Sequence, residues 1–416
     1  MANFISKPSF LDHKISFPFS SQIKTLFTSL LKNGDEARIV GGAVRDFLAG
    51  KKITDITDID LACKYPPAKT IALLQARQIK TIESGIKYGT ITALIDGQQF
   101  QITTLRKDIK NFGRDCEVEF IDDYFEDAQR RDFTINALSI DSQGQLYDYF
   151  GGAADLKNQI VKFIGNAAER IEEDYLRILR FFRFSCYYAS SLDQEGLLAC
   201  IKYQKHLDDL SAERVRTEFF KILECQNRIN LFAILQKMNE VGILELIIGN
   251  LDNQKLDGLK NLFVLEKILN QQFRSLILLA VICDQSNLKL NLTNAEKKYL
   301  QSVQGSQLVV DFKIQKKDLL KLLLEFNHQE LTEIFIIKLV LNNNFQNLID
   351  DFLRLSKMIA SSQIPQFPIN GYDLLDLKIK PQEIGKTLKI AQNYWWENDF
   401  SVDKQQILFF IKNNRA

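Results

Sequence analysis

The pattern of apolar residues changes once along the chain, near residue 150. Before this point, short β-like runs such as Ala37–Val40 and Gln99–Thr104 are separated by turns. Beyond it, Leu, Ile and Phe recur at spacings of three and four residues, as in Tyr175–Ala189 and Glu213–Glu224, and this is the period of a helix with a buried face. The pattern predicts an α+β protein, in which a domain with a sheet and helices precedes a long all-α region.

Composition limits the class of protein. The chain carries 53 Lys and Arg against 52 Asp and Glu, which argues against an indiscriminate polyelectrolyte binder but leaves a local basic groove open. Three scattered His and six Cys without a C-x-x-C pair exclude a His-rich metal site and ordinary zinc ribbons. No apolar run reaches the roughly 18–20 residues of a membrane span, and Phe273–Cys283 is expected to be a core helix. Scattered Cys without a secretory signal predict a reduced, cytoplasmic protein, with an organelle as the alternative.

An apolar strand that runs into two glycines is the first candidate site. Ile39 and Val40 lead into Gly41 and Gly42, where a helix is expected to begin. Paired glycines let the backbone approach a ligand closely, and the N–H groups of a helix start favour phosphate. Arg45 would lie in the first turn of this helix, within reach of a phosphate. For this segment alone, an ordinary turn is the alternative.

Two carboxylates follow in the next β-like run. Asp58 and Asp60 are two residues apart, so both side chains are expected on one face of a strand. Adjacent carboxylates repel each other unless a cation lies between them, and Mg²⁺ prefers oxygen ligands, which it supplements with waters and phosphate oxygens. Together with the glycine pair, these acids predict a phosphate cradle beside a metal site. For the two acids alone, a solvated strand end is the alternative.

Two further strings combine arginines with acidic groups. The first precedes an apolar run that is expected to be helical, where it could grip a triphosphate and a ribose. The second places its charged groups at three-residue steps, so that they fan across a helix face and could recognise the edge of a base or clamp a phosphate. Surface ion pairs are the alternative for each string alone. The residues are Arg130, Arg131, Asp132 and Asn136 in the first string, and Asp174, Arg177, Arg180 and Arg183 in the second.

Taken together and in chain order, these strings resemble the class II tRNA nucleotidyltransferase/poly(A) polymerase family, and within it the CCA-adding members most. Each motif is modest, but their order over the first half of the chain is specific. The segments that carry the resemblance are Gly41–Asp46 (GGAVRD), Asp58–Ala62 (DIDLA), Gly85–Thr90 (GIKYGT), Arg130–Ala137 (RRDFTINA), Gly152–Leu156 (GAADL), Glu173–Arg177 (EDYLR) and Glu213–Glu218 (ERVRTE).

The resemblance implies an architecture and an activity. The implied fold is a polymerase-β-like nucleotidyltransferase head with a mixed sheet and helices (1–149), followed by an all-α neck (150–225), body (226–345) and tail (346–416). The implied reaction is template-independent addition or repair of the 3′-terminal CCA of tRNA from CTP and ATP, with release of pyrophosphate. The neck would recognise the base of the nucleotide, and the tail would bind tRNA. The implied partners are the tRNA 3′ end and the two nucleotides, without a membrane, and the oligomeric state is left open.

The resemblance also assigns roles to residues by position. Asp58 and Asp60 would be catalytic and would hold Mg²⁺. Asp174 and Arg177 would act as an amino-acid template for the incoming base. The further nucleotide contacts would be Gly42, Arg45, Arg131, Arg180 and Arg183, with Arg130, Asp132 and Asn136 near the sugar and phosphates.

Two segments bear on which member of the family this is. Gln101 occupies a strand position where the family often has a third acidic residue, so the resemblance leaves a third metal carboxylate open. The polar segment Lys107–Val118 matches a mobile loop whose presence favours full CCA addition. The alternatives are a poly(A) polymerase, which Gly85–Thr90 argues against, a CC-only or A-only enzyme, and a non-catalytic RNA-binding scaffold, which the retained Asp58 and Asp60 argue against.

Overall fold

A computed structural model describes most of the chain. The described residues are 15–56, 58–112, 115–249, 251–283, 288–305, 311–363 and 366–414. They form two compact units, the first built from residues up to Leu251 with a short return segment near residue 290, and the second from Asp252 onward. The first unit holds the sheets, so the α+β prediction is confirmed. The finer division into head, neck, body and tail stays a prediction.

A mixed sheet organises the first unit. Within the described residues it has seven strands in the order β3-β4-β5-β2-β1-β8-β9, and all neighbours are antiparallel except β2 and β5, which are parallel. The strands are β1 (Ala37–Val40), β2 (Asp60–Cys63), β3 (Lys80–Ile82), β4 (Thr90–Ile95), β5 (Gln98–Thr104), β8 (Ser139–Ile140) and β9 (Leu146–Tyr147).

The central strands place polar groups at one edge of a dry core. All four residues of β1 are buried, and Ile39 packs with residues such as Leu61 and Ile102 in a cluster that is shielded from water. The strand register puts Val40 opposite Asp60. It also puts Asp60 opposite Gln101. Because β1 ends at Val40, the glycine pair and the first acid of β2 lie at the same end of the sheet.

A second, two-stranded sheet stands apart in the pairing scheme. It consists of β6 (Arg106–Phe112) and β7 (Asp115–Phe120), which pair with each other in antiparallel fashion. The sequence predicted a mobile loop over Lys107–Val118. The described backbone of this segment forms the two paired strands, and its mobility stays a prediction. Gly113 and Arg114 lie outside the described residues.

Helices make up the rest of the first unit. The helical periods predicted at Tyr175–Ala189 and Glu213–Glu224 correspond to the helices α7 (Arg177–Tyr188) and α9 (Ala212–Leu223) within two residues at each end. The helices are α1 (Ser21–Leu30), α2 (Gly42–Leu48), α3 (Pro67–Gln75), α4 (Tyr124–Gln129), α5 (Gly152–Lys157), α6 (Ala167–Glu173), α7 (Arg177–Tyr188), α8 (Gln194–Tyr203), α9 (Ala212–Leu223), α10 (Arg228–Glu240) and α11 (Glu245–Ile248).

The elements of secondary structure described in the second unit are all helices. Its apolar helix α13 has six consecutive buried residues, Ile277–Ile282, as the core-helix prediction required. Trp395 centres a separate cluster formed by the last helices. None of the described helices is both long and apolar enough to cross a bilayer. The helices are α12 (Asn253–Leu269), α13 (Ser275–Ile282), α14 (Asn294–Gly305), α15 (Lys316–Glu325), α16 (His328–Val340), α17 (Phe345–Ser361), α18 (Gly371–Asp376), α19 (Pro381–Glu397) and α20 (Lys404–Asn413).

Candidate active site

A single cavity of about 420 Å³ in the first unit collects most of the predicted residues. Of these residues, only Asp58 and Arg183 are not part of its lining. Arg214, Phe184 and Leu176 join the lining although the sequence did not single them out for a role, and Gly41 joins it as the first member of the predicted glycine pair. The full lining is Gly41, Gly42, Arg45, Asp60, Arg130, Arg131, Asp132, Asn136, Asp174, Leu176, Arg177, Arg180, Phe184 and Arg214.

A larger cleft of about 910 Å³ shares Arg130 with this cavity. Five carboxylates line the cleft, those of Asp123, Glu126, Glu169, Glu172 and Glu173, against three cationic side chains. This excess of negative charge disfavours a polyanion. The smaller cavity has the opposite balance, with six arginines against three aspartates, and is therefore the better site for an anionic ligand.

The glycine turn forms one wall of the cavity. Gly41 has a φ of 67°, a conformation that favours glycine, and α2 begins at the next residue. A Cβ atom added at Gly41 would lie 3.1 Å from Nη1 of Arg131, so the missing side chain also makes room for that guanidinium. The predicted helix start after Gly-Gly is confirmed, and Arg45 lies at the end of the first turn of α2.

A continuous chain of polar contacts crosses the cavity floor. Arg45 donates from Nη1 to Oδ1 of Asn136 at 2.6 Å, and Asn136 donates from Nδ2 to Oδ1 of Asp132 at 2.9 Å. Arg180 completes the chain from Nε to Oδ2 of Asp132 at 2.7 Å. Burial alone would raise the pKa of the Asp132 carboxyl, but Arg180 and the Asn136 amide lower it below its usual value. Asp132 therefore stays charged, and it holds the Arg180 side chain directly and the Arg45 side chain through Asn136.

The segment that carries Asn136 is not the start of a helix. The sequence predicted a helix after Arg130 and Arg131, and this was wrong. Thr134–Asn136 forms one 3-10 turn, and the apolar residues beyond it enter strand β8, which pairs with β1. The backbone partner of this run lies about a hundred residues earlier in the chain, so local periodicity does not reveal it.

Asp127 anchors the two neighbouring arginines from behind. This buried carboxylate on α4 accepts hydrogen bonds from Arg130 at 2.8 Å and from Arg131 at 3.1 Å. Burial alone would raise the pKa of Asp127, but Arg131 and Arg130 together lower it. Sequence analysis missed Asp127, although its position three and four residues before the two arginines was an available signal.

Asp174 lies in a break between two helices. The sequence predicted one helix from Glu173 through Arg183, but α6 ends at Glu173 and α7 begins at Arg177. Asp174 has φ −158° and accepts the backbone N–H of Leu176 on Oδ1 at 3.1 Å, so it bridges the break. The three arginines of the string do share α7. The predicted apolar face of that helix is confirmed, since Ile178, Leu179 and Phe182 are fully buried.

Arg177 is held in place by internal acceptors. Its Nη1 donates to Glu173 at 2.7 Å and to the carbonyl of Arg170 at 3.0 Å, and its Nη2 donates to the carbonyl of Arg130 at 3.0 Å. Among the described residues, the second hydrogen on Nη2 and the Nε–H have no acceptor, so these are the donors open to a ligand. The orientation of this planar fork is therefore set before a ligand arrives.

Helix α9 supplies partners that sequence analysis missed. Arg214 donates to Asp174 at 2.8 Å, and Glu218 accepts from Arg183 at 3.2 Å. Arg183 thus lies next to the cavity but is not part of its lining. Both α9 residues belong to the ERVRTE string, which carried the resemblance without a role for any member of it.

Phe184 packs against three of the predicted arginines. The guanidinium carbons of Arg45, Arg180 and Arg183 lie 5.0, 5.3 and 4.4 Å from its ring centre. An aromatic face attracts cations, which offsets part of their mutual repulsion. Burial, together with the nearby charges of Arg180 and Arg45, lowers the pKa of Arg183 although Glu218 opposes this. The cluster is thus crowded with positive charge.

The two metal candidates, Asp58 and Asp60, differ in their setting. Asp60 begins β2, but Asp58 precedes the strand, so the prediction that both lie on one strand face was wrong: the pairing with β1 ends at Asp60. Removal from solvent raises the pKa of Asp60, and the Asp58 carboxylate adds to this while Arg131 opposes it. Two carboxylates near enough to repel each other form a donor set that suits Mg²⁺.

A third protein carboxylate is not found beside this pair. Gln101 pairs with Asp60 across the parallel strands and offers an uncharged amide. Within the ranges that the structure describes, no three His, Cys, Asp or Glu side chains group as metal ligands. Asp58 and Asp60 fit Mg²⁺ if waters and phosphate oxygens complete the shell, which is usual for this ion.

Comparison with known proteins identifies relatives of the whole chain. Residues 37–162 match the family model described as the poly(A) polymerase head domain. The chain is 31% identical over 413 residues to the human protein named CCA tRNA nucleotidyltransferase 1, mitochondrial, covering 95% of this chain and 90% of that protein. The zebrafish (Danio rerio) protein of the same name is 32% identical, with 94% and 92% covered.

Bacterial proteins give the same picture for sequence and fold. A CCA-adding enzyme of Oceanobacillus iheyensis is 39% identical over 215 residues, which cover 51% of this chain and 52% of that protein. The solved Bacillus stearothermophilus CCA-adding enzyme in complex with CTP superposes with a TM-score of 0.71 at 22% identity, covering 95% of this chain and 98% of that one. That likeness concerns the fold alone. The full-length relatives, however, exceed 30% identity, and the chain belongs to the CCA tRNA nucleotidyltransferase family.

Proposed function

We propose that this chain is a template-independent RNA nucleotidyltransferase that adds or repairs the 3′-terminal CCA of tRNA from CTP and ATP and releases pyrophosphate. The single observation that carries the proposal is the 420 Å³ cavity, in which a glycine turn and arginines suited to a triphosphate meet Asp174 and Arg177, which are suited to a base. One nucleotide would span the cavity, with its triphosphate at the glycine turn and its base at Asp174 and Arg177. Relatives that bear this activity in their names, along nearly the full chain, support the same conclusion.

The triphosphate would bind where positive charge is concentrated. Arg45 and Arg180 are fixed by Asn136 and Asp132, and Arg131 is fixed by Asp127, so their donors are oriented before the ligand arrives. An incoming polyanion relieves the repulsion within this cluster. Prior orientation also reduces the entropy lost on binding and holds the α-phosphorus in line for attack.

The base would be recognised by Asp174 and Arg177. A carboxylate accepts hydrogen bonds and a guanidinium donates them, so the pair can match the Watson–Crick edge of cytosine or adenine without a nucleic-acid template. Both side chains are braced by neighbours: Asp174 by Arg214, and Arg177 by Glu173. Rigid positioning matters because each correct base contact contributes roughly 1–3 kcal/mol of discrimination.

Asp58 and Asp60 would hold Mg²⁺ with the help of phosphate oxygens. When bound there, the ion would stabilise the charge that develops on the phosphates and lower the pKa of the attacking hydroxyl. In the reaction, the 3′-oxygen of the RNA forms a bond to the α-phosphorus, the bond to the bridging oxygen breaks, and pyrophosphate leaves. The arginines keep the departing pyrophosphate neutralised.

The compartment is proposed to be a reducing one, either the cytoplasm or an organelle. Cys63, Cys186, Cys200 and Cys225 are buried thiols, as expected where disulfides do not form. The vertebrate relatives are named as mitochondrial. Imaging of the tagged full chain beside a mitochondrial marker separates the two locations.

The test offers the purified chain three RNAs: a tRNA without its CCA end, a tRNA that ends in CC, and oligo(A). Each is incubated with CTP, with ATP and with both, and products are sized on a gel. We expect C, C and A on the first RNA and one A on the second, followed by arrest. Long ATP-only tails on oligo(A) would indicate a poly(A) polymerase, arrest after CC a CC-only enzyme, and activity on the second RNA alone an A-only enzyme. RNA binding without any addition would indicate a scaffold.

Two variants connect the activity to the residues. Asp58→Ala should abolish incorporation on every RNA, whereas Asp55→Ala, at an exposed aspartate three residues earlier, should not. Asp174→Ala should blur the choice between C and A while some transfer continues. Near-normal activity of Asp58→Ala with Mg²⁺ would show that the metal assignment is wrong.

A further inference from the structure

Arg214 binds the carboxylate of Asp174, the proposed base-recognising acid, through one nitrogen. Its Nη2 donates to both oxygens of Asp174, at 3.1 Å to Oδ1 and 2.8 Å to Oδ2. Oδ1 also accepts the backbone N–H of Leu176 at 3.1 Å. Among the described residues, Oδ2 thus has one donor where Oδ1 has two. Oδ2 is therefore the oxygen with more capacity for a ligand.

The position of Arg214 follows from the packing of two helices. Arg214 and Glu218 are four residues apart and share a face of α9, and they pair with Asp174 and Arg183, which stand before and within α7. Asp174 itself is not in a helix, so a single backbone hydrogen bond and Arg214 define where its carboxylate points. Removing Arg214 would leave α7 in place, since its apolar face is buried, but would leave this carboxylate held by the backbone N–H of Leu176 alone.

The chemistry of the bases makes that orientation decisive. A carboxylate accepts hydrogen bonds only. Cytosine and adenine each carry an exocyclic amino group, whereas uracil and guanine carry a carbonyl oxygen in the corresponding place. A fixed acceptor therefore rewards C and A and repels U and G. A freely rotating one can turn away from the carbonyl and admits the wrong base more easily.

We propose that Arg214 is a positioning residue that determines nucleotide specificity: it holds Asp174 so that Oδ2 accepts the exocyclic amino group of the incoming base. The site then selects cytosine and adenine against uracil and guanine. This inference rests on the proposed function, because it concerns the same cavity and the same nucleotides. It adds a residue on α9 to a template that the sequence placed in Asp174 and Arg177 alone.

The experiment compares correct and incorrect nucleotides on the full chain. Values of kcat/KM are measured for CTP and UTP on a tRNA without its CCA end, and for ATP and GTP on a tRNA that ends in CC. The variants are Arg214→Ala and Arg214→Lys, and the matched control is Arg216→Ala, which removes an arginine of the same helix that packs on Phe220 outside the cavity. In Arg214→Ala we expect both preferences to fall by about tenfold, the factor for one lost hydrogen bond to a charged group.

Each outcome decides the matter. Arg214→Lys should keep part of the preference and Arg216→Ala all of it. If Arg214→Ala slows all four nucleotides equally, or leaves both ratios unchanged, Arg214 is structural and the inference is overturned. If that variant does not fold, Arg214→Gln, which keeps an N–H donor, is judged by the same ratios. If the wild-type chain adds neither C nor A, the proposed function itself has failed, and this inference with it.

Discussion

Asn136 is the central member of the chain of polar contacts in the cavity. Its replacement by leucine tests whether that chain supports stability and nucleotide binding. The amide accepts from Arg45 at 2.6 Å and donates to Asp132 at 2.9 Å, and the residue is 7% exposed. Leucine has nearly the same size and shape, so Asn136→Leu removes both hydrogen bonds without opening a large cavity. The substitution should lower the stability of the first unit and weaken nucleotide binding.

The magnitude follows from the partners that remain. Each lost bond to a charged group costs roughly 1.5–3 kcal/mol, which gives an upper range of about 3–6 kcal/mol for two. Arg45 keeps its contact with Asp46 at 2.8 Å, and Asp132 keeps Arg180 at 2.7 Å. Since neither charge is left alone, the loss should lie near the lower end, at about 3 kcal/mol.

The assay combines urea unfolding with nucleotide kinetics. We expect unfolding at a lower urea concentration and a KM for CTP and ATP that rises about tenfold, the factor for one lost hydrogen bond to a charged group, with a smaller change in kcat. The reason is that Arg45 loses its acceptor on Asn136, and the Asp132 carboxylate that holds Arg180 loses its donor. Asn230→Leu is the matched control: this asparagine also makes two side-chain bonds, to the carbonyls of Cys186 and Ala189, away from the cavity. An unchanged KM in Asn136→Leu, or an equal rise in Asn230→Leu, would refute the reasoning.

Three further substitutions probe the turn, the buried acid and a buried cation. Gly41→Ala should lower the free energy of unfolding by about 1 kcal/mol because of the positive φ, and should raise the nucleotide KM by displacing Arg131. Gly50→Ala, at φ 85° with open space around the added Cβ, should lower stability alone, and equal KM values in the two variants would contradict this. Because the pKa of Asp132 is lowered on folding, its stabilisation is present above about pH 4 and lost at lower pH, so the stability gap between wild type and Asp132→Asn should narrow from pH 6 to pH 3 in urea unfolding. Arg38 lies 3.8 and 3.5 Å from two tyrosine ring centres and bonds a nearby aspartate, so Arg38→Leu should destabilise the first unit by about 3 kcal/mol without a change in KM, as unfolding and kinetics will show.

The local sequence pattern predicted a strand or helix well where the residues of that element themselves define its buried face. The run Ala37–Val40 is a strand with the predicted bounds, and all four of its residues are buried. The three-residue spacing of Arg177, Arg180 and Arg183 correctly placed them on one helix. The same spacing extended that helix back to Asp174, wrongly, because it continues through a helix end that only the backbone geometry reveals.

Contacts between distant segments could not be predicted in this way. The sequence predicted a helix in the apolar run after Arg131, but the end of that run, Ser139 and Ile140, pairs with β1 and enters the sheet. The motif order named twelve site residues, and the structure brings all of them except Asp58 and Arg183 into the lining of one cavity. It did not reveal Glu218, because this acid reaches Arg183 only through the packing of α9 against α7. Asp127 was missed for a different reason, since its local spacing to Arg130 and Arg131 was available in the sequence and was not used.

The cavity shows on a small scale the balance of charges found in the whole chain. Each of the six arginines in its lining has a carboxylate partner, such as Asp127 for Arg131 and Asp132 for Arg180, so cations and anions accumulate together. These acids reduce the net charge of the cavity but do not prevent it from binding an anion. Each carboxylate holds its guanidinium group from one side, and the other side of the group remains for the ligand. Affinity for a triphosphate then comes from orientation more than from long-range attraction. It should therefore depend less on salt than binding to a uniformly basic surface would, because contacts within the cavity are screened less than exposed charges.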